Sequence, residues 1–166
     1  AKEYDLEVSA YVDERRNAEK STRAAAEFLK RAHKKFGSWT LAAADFKRGA
    51  KGIENALKGQ GNMSYYQLCL NEETARYVFR ILAFKLIMEA PEKYGYRLSP
   101  SDYYQPVEYK TILIDKSIQD LPQFAKSIGV TYQTLKEHNP WIQNTDYKLV
   151  LTEGKKYKIR IPAKKD

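Results

Sequence analysis

Residues 72–89, EETARYVFRILAFKLIME, constrain this chain more than any other stretch. Their apolar positions Ala75, Val78, Phe79, Leu82, Leu86 and Ile87 recur at helical spacing. Ile81, Ala83, Phe84 and Met88 widen the stripe almost all the way round, the pattern of a central helix around which others pack. Asn71 stands at the expected N-cap, with Glu72 and Glu73 favourably placed in the first turn. Ala90-Pro91 stops the helix, because a residue before proline avoids the α region. A rod of this size, about 27 Å long, sets the scale of a small helical domain.

The rest of the chain must supply what packs against it. With 43% hydrophobic and 30% charged residues the composition is that of a folded globular chain, not a disordered one. Arg80 and Lys85 interrupt the longest apolar runs, so no segment reads as a bilayer span. The opening AKEYDLE reads as a helical fragment from inside something longer. One cysteine, Cys69, and two well-separated histidines, His33 and His138, give no internal disulfide and no expected metal site. No residue pattern calls for a cofactor. The formal charge of +8 is spread over both halves and suits an anionic partner: nucleic acid, a cell-wall polymer or an acidic membrane. No nucleic-acid motif accompanies it, and the dispersed basic residues argue against that partner despite 13 tyrosines.

In chain order, residues 17–36 read as a helix with Ala25, Phe28, Leu29, Ala32 and Phe36 on one face. Gly37 ends it and Ser38 caps a short helix over 39–47, whose small residues Ala42, Ala43 and Ala44 permit close approach. A shorter helix is expected over 53–57, a loop over 58–62, and one or two helical turns over 64–70. Prolines 100 and 106 punctuate a connector, placed at 99–108 between a domain of residues 1–98 and another of 109–166. The second domain reads as strand 109–114, helices near 121–127 and 132–137, and strand 157–161, a compact βααβ arrangement. The expected fold is mainly α, followed by a small α+β domain.

Four blocks carry a resemblance: VDERR (12–16), SWTLAAADFKRGAKGI (38–53), NEETARYVFRILA (71–83) and PEKYGY (91–96). In this order and spacing they resemble the later part of the catalytic domain of lytic murein transglycosylases of the membrane-bound D type, in the goose-type lysozyme superfamily. Residues 118–142 (IQDLPQFAKSIGVTYQTLKEHNPWI) with GKKYKIRIP (154–162) resemble a LysM peptidoglycan-binding module. The first resemblance implies a partial lysozyme-like helical domain. It also implies cleavage of the MurNAc–GlcNAc bond of peptidoglycan without water, leaving a 1,6-anhydro sugar. One glutamate then acts as acid and afterwards as base, and needs a raised pKa in a dry cleft. In the family that glutamate lies in a Glu-Ser motif upstream of the segment matching Ala1, so no catalytic residue is expected within this chain, which alone should be inactive. Glu3, Glu7 and Glu73 are the carboxylates weighed as substitutes, and each reads better as a solvated or dipole-paired group.

The resemblance also implies a substrate-binding set: Phe46, Lys47, Gly49, Glu73 and Tyr77. The family has Ala-Tyr-Asn-x-Gly or Ser-Tyr-Asn-x-Gly where this chain has Ala44-Asp45-Phe46-Lys47-Arg48-Gly49. Phe46 keeps a stacking ring and loses the phenol; Lys47 replaces an amide with a cation that reaches either a substrate carboxylate or solvent. Tyr77 matches a cleft tyrosine, against the plainer role of a core residue. The LysM resemblance implies glycan contacts from Asp120, Asn139 and Trp141, with Trp141 either stacking on a sugar or plugging the core. Peptidoglycan glycan strands are the implied partner, and the cell envelope, periplasmic or outer-membrane associated, the implied location. The uncovered side of the central helix would be met by the missing N-terminal part of the catalytic domain or by a second copy. The alternative reading is a non-catalytic peptidoglycan-binding or scaffold protein.

Overall fold

The computed structural model describes residues 1–143 and 146–163, so the last residues of the 109–166 partition lie outside the described residues. Contacts divide the chain into two compact units, one of residues 1–24 with 105–166 and one of residues 25–104. Compactness thus groups the first 24 residues with the βααβ segment, a grouping in space beside the partition read from sequence. Helix α1 (Ala18–Phe36) gives its first turns to the one unit and the rest to the other.

In the 25–104 unit, α2 (Trp39–Arg48), α3 (Ala50–Gln60), α4 (Glu72–Ala75) and α5 (Tyr77–Glu89) follow α1. The mainly helical architecture is as expected, with local differences. Ser38 caps α2 as expected, its hydroxyl accepting from the Leu41 N–H. Helix α3 begins at Ala50 and runs through the expected loop to Gln60, because Gly61 in the left-handed region is the residue that ends it. Asn71 precedes α4 without a side-chain cap; its amide oxygen instead accepts from Arg48 Nη1 at 3.3 Å.

The expectation of a central helix is overturned. The 72–89 stretch divides at Arg76, and only Val78 of α5 and Thr74 of α4 are buried. Val78 joins a core of Leu41, Ala44, Ile53, Tyr65 and Leu68. Phe79, Leu82, Phe84 and Met88 are 45–78% exposed. The described residues of this unit meet one narrow side of α5, so its apolar circumference goes largely uncovered.

In the other unit, strands β1 (Tyr109–Ile114) and β2 (Tyr157–Pro162) pair antiparallel, with Ile112 opposite Ile159 and Thr111 opposite Arg160. Helices α6 (Leu121–Ser127) and α7 (Tyr132–His138) lie between them in sequence, completing the expected βααβ order. Alternation puts Ile112, Ile114, Tyr157 and Ile159 on the inner face. They close a core with Leu121, Ala125, Leu135, Trp141, Ile142 and Leu149. Val12, wholly buried, belongs to the same core and bridges to Ile142. The Asp13 N–H donates to the Trp141 carbonyl at 2.8 Å and the Gln143 N–H to the Tyr11 carbonyl at 2.8 Å, so the VDERR block is woven into this unit.

Candidate functional site

Helix α2 ends in the turn that carries Phe46 and Lys47, and Gly49 closes it. Gly49 has φ 87°, a region that favours glycine, and its N–H donates to the Asp45 carbonyl at 2.7 Å. The same residue starts α3, so one glycine turns the backbone from one helix into the next. Phe46 is 48% exposed and packs edge-on against Phe28, with centroids 5.5 Å apart. Its ring keeps free surface on which a sugar could stack.

Lys47 Nζ sits 2.7 Å from Glu73 Oε2, and Arg80 reaches the same carboxylate at 3.4 Å. The Lys47 hydrogen bond, aided by both positive charges, holds Glu73 below the ordinary carboxylate range. Glu73 is therefore an anion at neutral pH and a poor proton donor. Tyr77, half-buried, begins α5. Its position depends on Tyr65, whose buried hydroxyl lies 2.7 Å from the carbonyls of both Thr74 and Ala75, where α4 gives way to α5. Of the five residues expected along a sugar cleft, the structure brings Lys47 and Glu73 into contact. It sets Phe46 and Gly49 in the same turn as Lys47, and Tyr77 one turn beyond Glu73.

Sequence reasoning missed Tyr65, a core phenol with no periodic signature, and Asp45. Asp45 is 3% exposed, and its Oδ1 has no hydrogen-bond partner among the described residues. Burial pushes its carboxyl up, against the pull of Lys35 and Arg31, while Glu54 adds to the rise. It presents no surface to a ligand.

In the βααβ unit the three residues expected to touch glycan have clear structural duties. Asp120 caps α6, its Oδ1 accepting from the Gln123 N–H at 2.8 Å. Asn139 is wholly buried: its amide donates to the carbonyls of Leu135 and Arg160 and accepts from the Arg160 N–H. Trp141 is 5% exposed and stacks on Tyr157 at 5.6 Å. Glu7 is tied here as well. Thr152, Lys155 and Tyr157 donate to its carboxylate at 2.7–2.9 Å. Burial works to raise its pKa, and these hydrogen bonds, Lys155 foremost, outweigh burial and lower it. Among the described residues no group of three or more His, Cys, Asp or Glu is arranged to hold a metal.

Comparison with known proteins fits both halves. Residues 1–69 match the family described as Transglycosylase SLT domain, and residues 110–165 match the Soluble lytic transglycosylase C-terminal LysM-like domain. Two proteins named Membrane-bound lytic murein transglycosylase D, from two strains of Escherichia coli, are each 27% identical over 147 residues, covering 86% of this chain and 32% of their own length. The chain thus spans about a third of the length of the curated relatives it matches. The α2 turn with Phe46, Lys47 and Gly49 falls in the first match, and Asp120, Asn139 and Trp141 fall in the second. The chain therefore resembles lytic transglycosylases over two stretches in tandem, a Transglycosylase SLT domain and a LysM-like C-terminal domain, and has modest homology to a membrane-bound lytic murein transglycosylase.

Proposed function

We propose that these residues form part of a lytic transglycosylase that cleaves MurNAc–GlcNAc bonds to 1,6-anhydromuropeptides, with the acid–base glutamate supplied by polypeptide outside residues 1–166. The observation that carries this reading is the state of the carboxylates beside the site. Glu73 is held as an anion by Lys47 and Arg80, and Asp45, whose carboxyl burial pushes up, is enclosed in the core, whereas the acid of this reaction must hold a proton near neutral pH and reach the sugar. Phe46 and Tyr77 would line the sugar path, Gly49 would fix its turn, and the Lys47–Glu73 pair would form its polar edge. The partition into 1–98, 99–108 and 109–166, and a location at the cell envelope, belong to the same proposal. No helix among the described residues is long and apolar enough to cross a membrane.

In the LysM-like part, Asn139 and Trp141 shape the glycan groove from beneath, and the exposed rims of the loops at 117–121 and 139–143 make the contacts. The bare apolar side of α5 supports a covering partner. We assign that role to further helices of the catalytic domain, with a self-associated chain as the other outcome of a light-scattering measurement. A longer protein containing these residues, incubated with purified sacculi, should release 1,6-anhydromuropeptides by mass spectrometry. Recovery of reducing-end muramic acid, or no cleavage, would count against the reading. Lys47 engaged by Glu73 where the family has an amide favours the second reading, a non-catalytic wall-binding protein. Retention on sacculi without product would mark that outcome.

A further inference from the structure

The βααβ unit carries a cleft that, of the expected site residues, Trp141 alone lines. It has a volume of about 460 Å³, within the ordinary size of a small-ligand site. One wall is the outer face of the two-stranded sheet, where Lys158, Arg160 and Tyr109 stand opposite in sense to the core-facing Ile112 and Ile159. The facing wall is the N-terminal segment, through Glu14, Lys20 and Arg23. Trp141 and Tyr157 also line it, as a stacked pair. The cleft exists because the VDERR block is bonded into this unit, so residues from both family matches build it.

Its electrostatics are lopsided. The lining holds five cations, with Lys156 beside Lys20, Arg23, Lys158 and Arg160, against two carboxylates, Glu14 and Glu19. Glu14, 5% exposed, pairs with Lys20, and its other oxygen accepts from the Glu7 N–H at 2.9 Å. Glu19 pairs with Arg160 at 2.6 Å, and that guanidinium lies 4.2 Å over the Tyr109 ring. Both carboxylates are thus occupied, and the lining retains three positive charges in excess. A concave surface of one sign concentrates the opposite charge. An uncharged N-acetylglucosamine unit has no use for such a field. A short peptide bearing several carboxylates does.

We propose that this cleft binds the carboxylate-bearing peptide stems of peptidoglycan, with Lys156, Lys158 and Arg23 as the anion-contacting groups and the Glu19–Arg160–Tyr109 stack as a fixed wall. The inference rests on the peptidoglycan reading above and goes beyond it, since it assigns the stem, not the glycan, to this surface. The test is calorimetric titration of the full chain with a soluble disaccharide tetrapeptide and with the same disaccharide lacking its peptide. The stem-bearing probe should bind about tenfold more tightly, and a Lys156→Glu/Lys158→Glu double variant should lose about that factor while its melting temperature is kept. Lys156→Arg/Lys158→Arg should retain binding, and affinity should fall as salt rises. Equal affinity for the two probes overturns the stem assignment alone. So does an unchanged affinity in the charge-reversed variant, or displacement of the stem by inorganic polyphosphate at equal charge. If neither probe binds and sacculi are not retained, this inference and the peptidoglycan reading fall together.

Discussion

Around the antiparallel β1–β2 pair, Val12, Leu121, Leu135, Ile142, Leu149 and Ile159 are all wholly buried in one core, drawn from both ends of the sequence. In the 25–104 unit the most apolar helix, α5, contributes one buried side chain and leaves Phe84 and Met88 at 67% and 78% exposure. The same hydrophobic effect acts on both. The first unit brings its own cover, while the second leaves exposed large apolar side chains along one helix, of the kind that mark a covered or interacting face.

The sharpest way to break this contrast is to truncate one leucine in each unit. Leu135→Ala should cost about 3 kcal/mol, because transfer energy and cavity energy add at a wholly buried position. Leu82→Ala on α5, 45% exposed, should change stability by no more than about 0.5 kcal/mol. Denaturant melts of the two variants decide the matter. A Leu82→Ala penalty as large as that of Leu135→Ala means that α5 is covered in solution. Asn139→Ala comes next, at about 2 kcal/mol, since it strands the Arg160 N–H and its carbonyl beside the core.

Two carboxylates give the units opposite responses to pH. Glu7 has a depressed folded pKa, so the unfolded state binds more protons between the two values. Its stabilisation is present above the unfolded pKa and is lost as pH falls through the folded one. Asp45 has a raised folded pKa, so the folded state binds more protons there, and stability drops as pH climbs through that window. Glu7→Gln should flatten the acid limb seen by Trp141 fluorescence in the βααβ unit. Asp45→Asn should be neutral or stabilising near pH 7, and should remove a downward slope in the helical unit. Matching slopes in both units would dissolve the distinction.

These pairs also show what could be read from the residues alone. The βααβ unit was legible because alternation in β2, the Thr131 cap and helical spacing are all local signals, and the elements formed within a residue or so of expectation. The burial of α5 was not legible. An all-apolar helix states what it needs and says nothing of which segment supplies it. The seating of Val12 in the βααβ core, and of Glu7 on Tyr157 across 150 residues of sequence, leaves no periodic trace either. At the candidate site the residue types of the α2 turn could be placed by resemblance. That Lys47 pairs with Glu73 depends on the approach of α4, a tertiary fact.

That approach supplies the smallest expected effect. Lys47 and Glu73 are both solvated, so a double-mutant cycle of Lys47→Ala with Glu73→Gln should show coupling near experimental error at moderate salt. Glu73 carries a depressed pKa through Lys47, so whatever coupling exists belongs to pH above its unfolded value and fades as acid protonates it. The measurement bears on the contrast between the units because an ion pair reports its own dielectric. If the longer protein gives a coupling several times larger and insensitive to salt, the pair lies under another element there. The open face beside α4 and α5 is then closed in that longer protein, and Lys47 acts as part of a buried seam, not as a solvated surface cation.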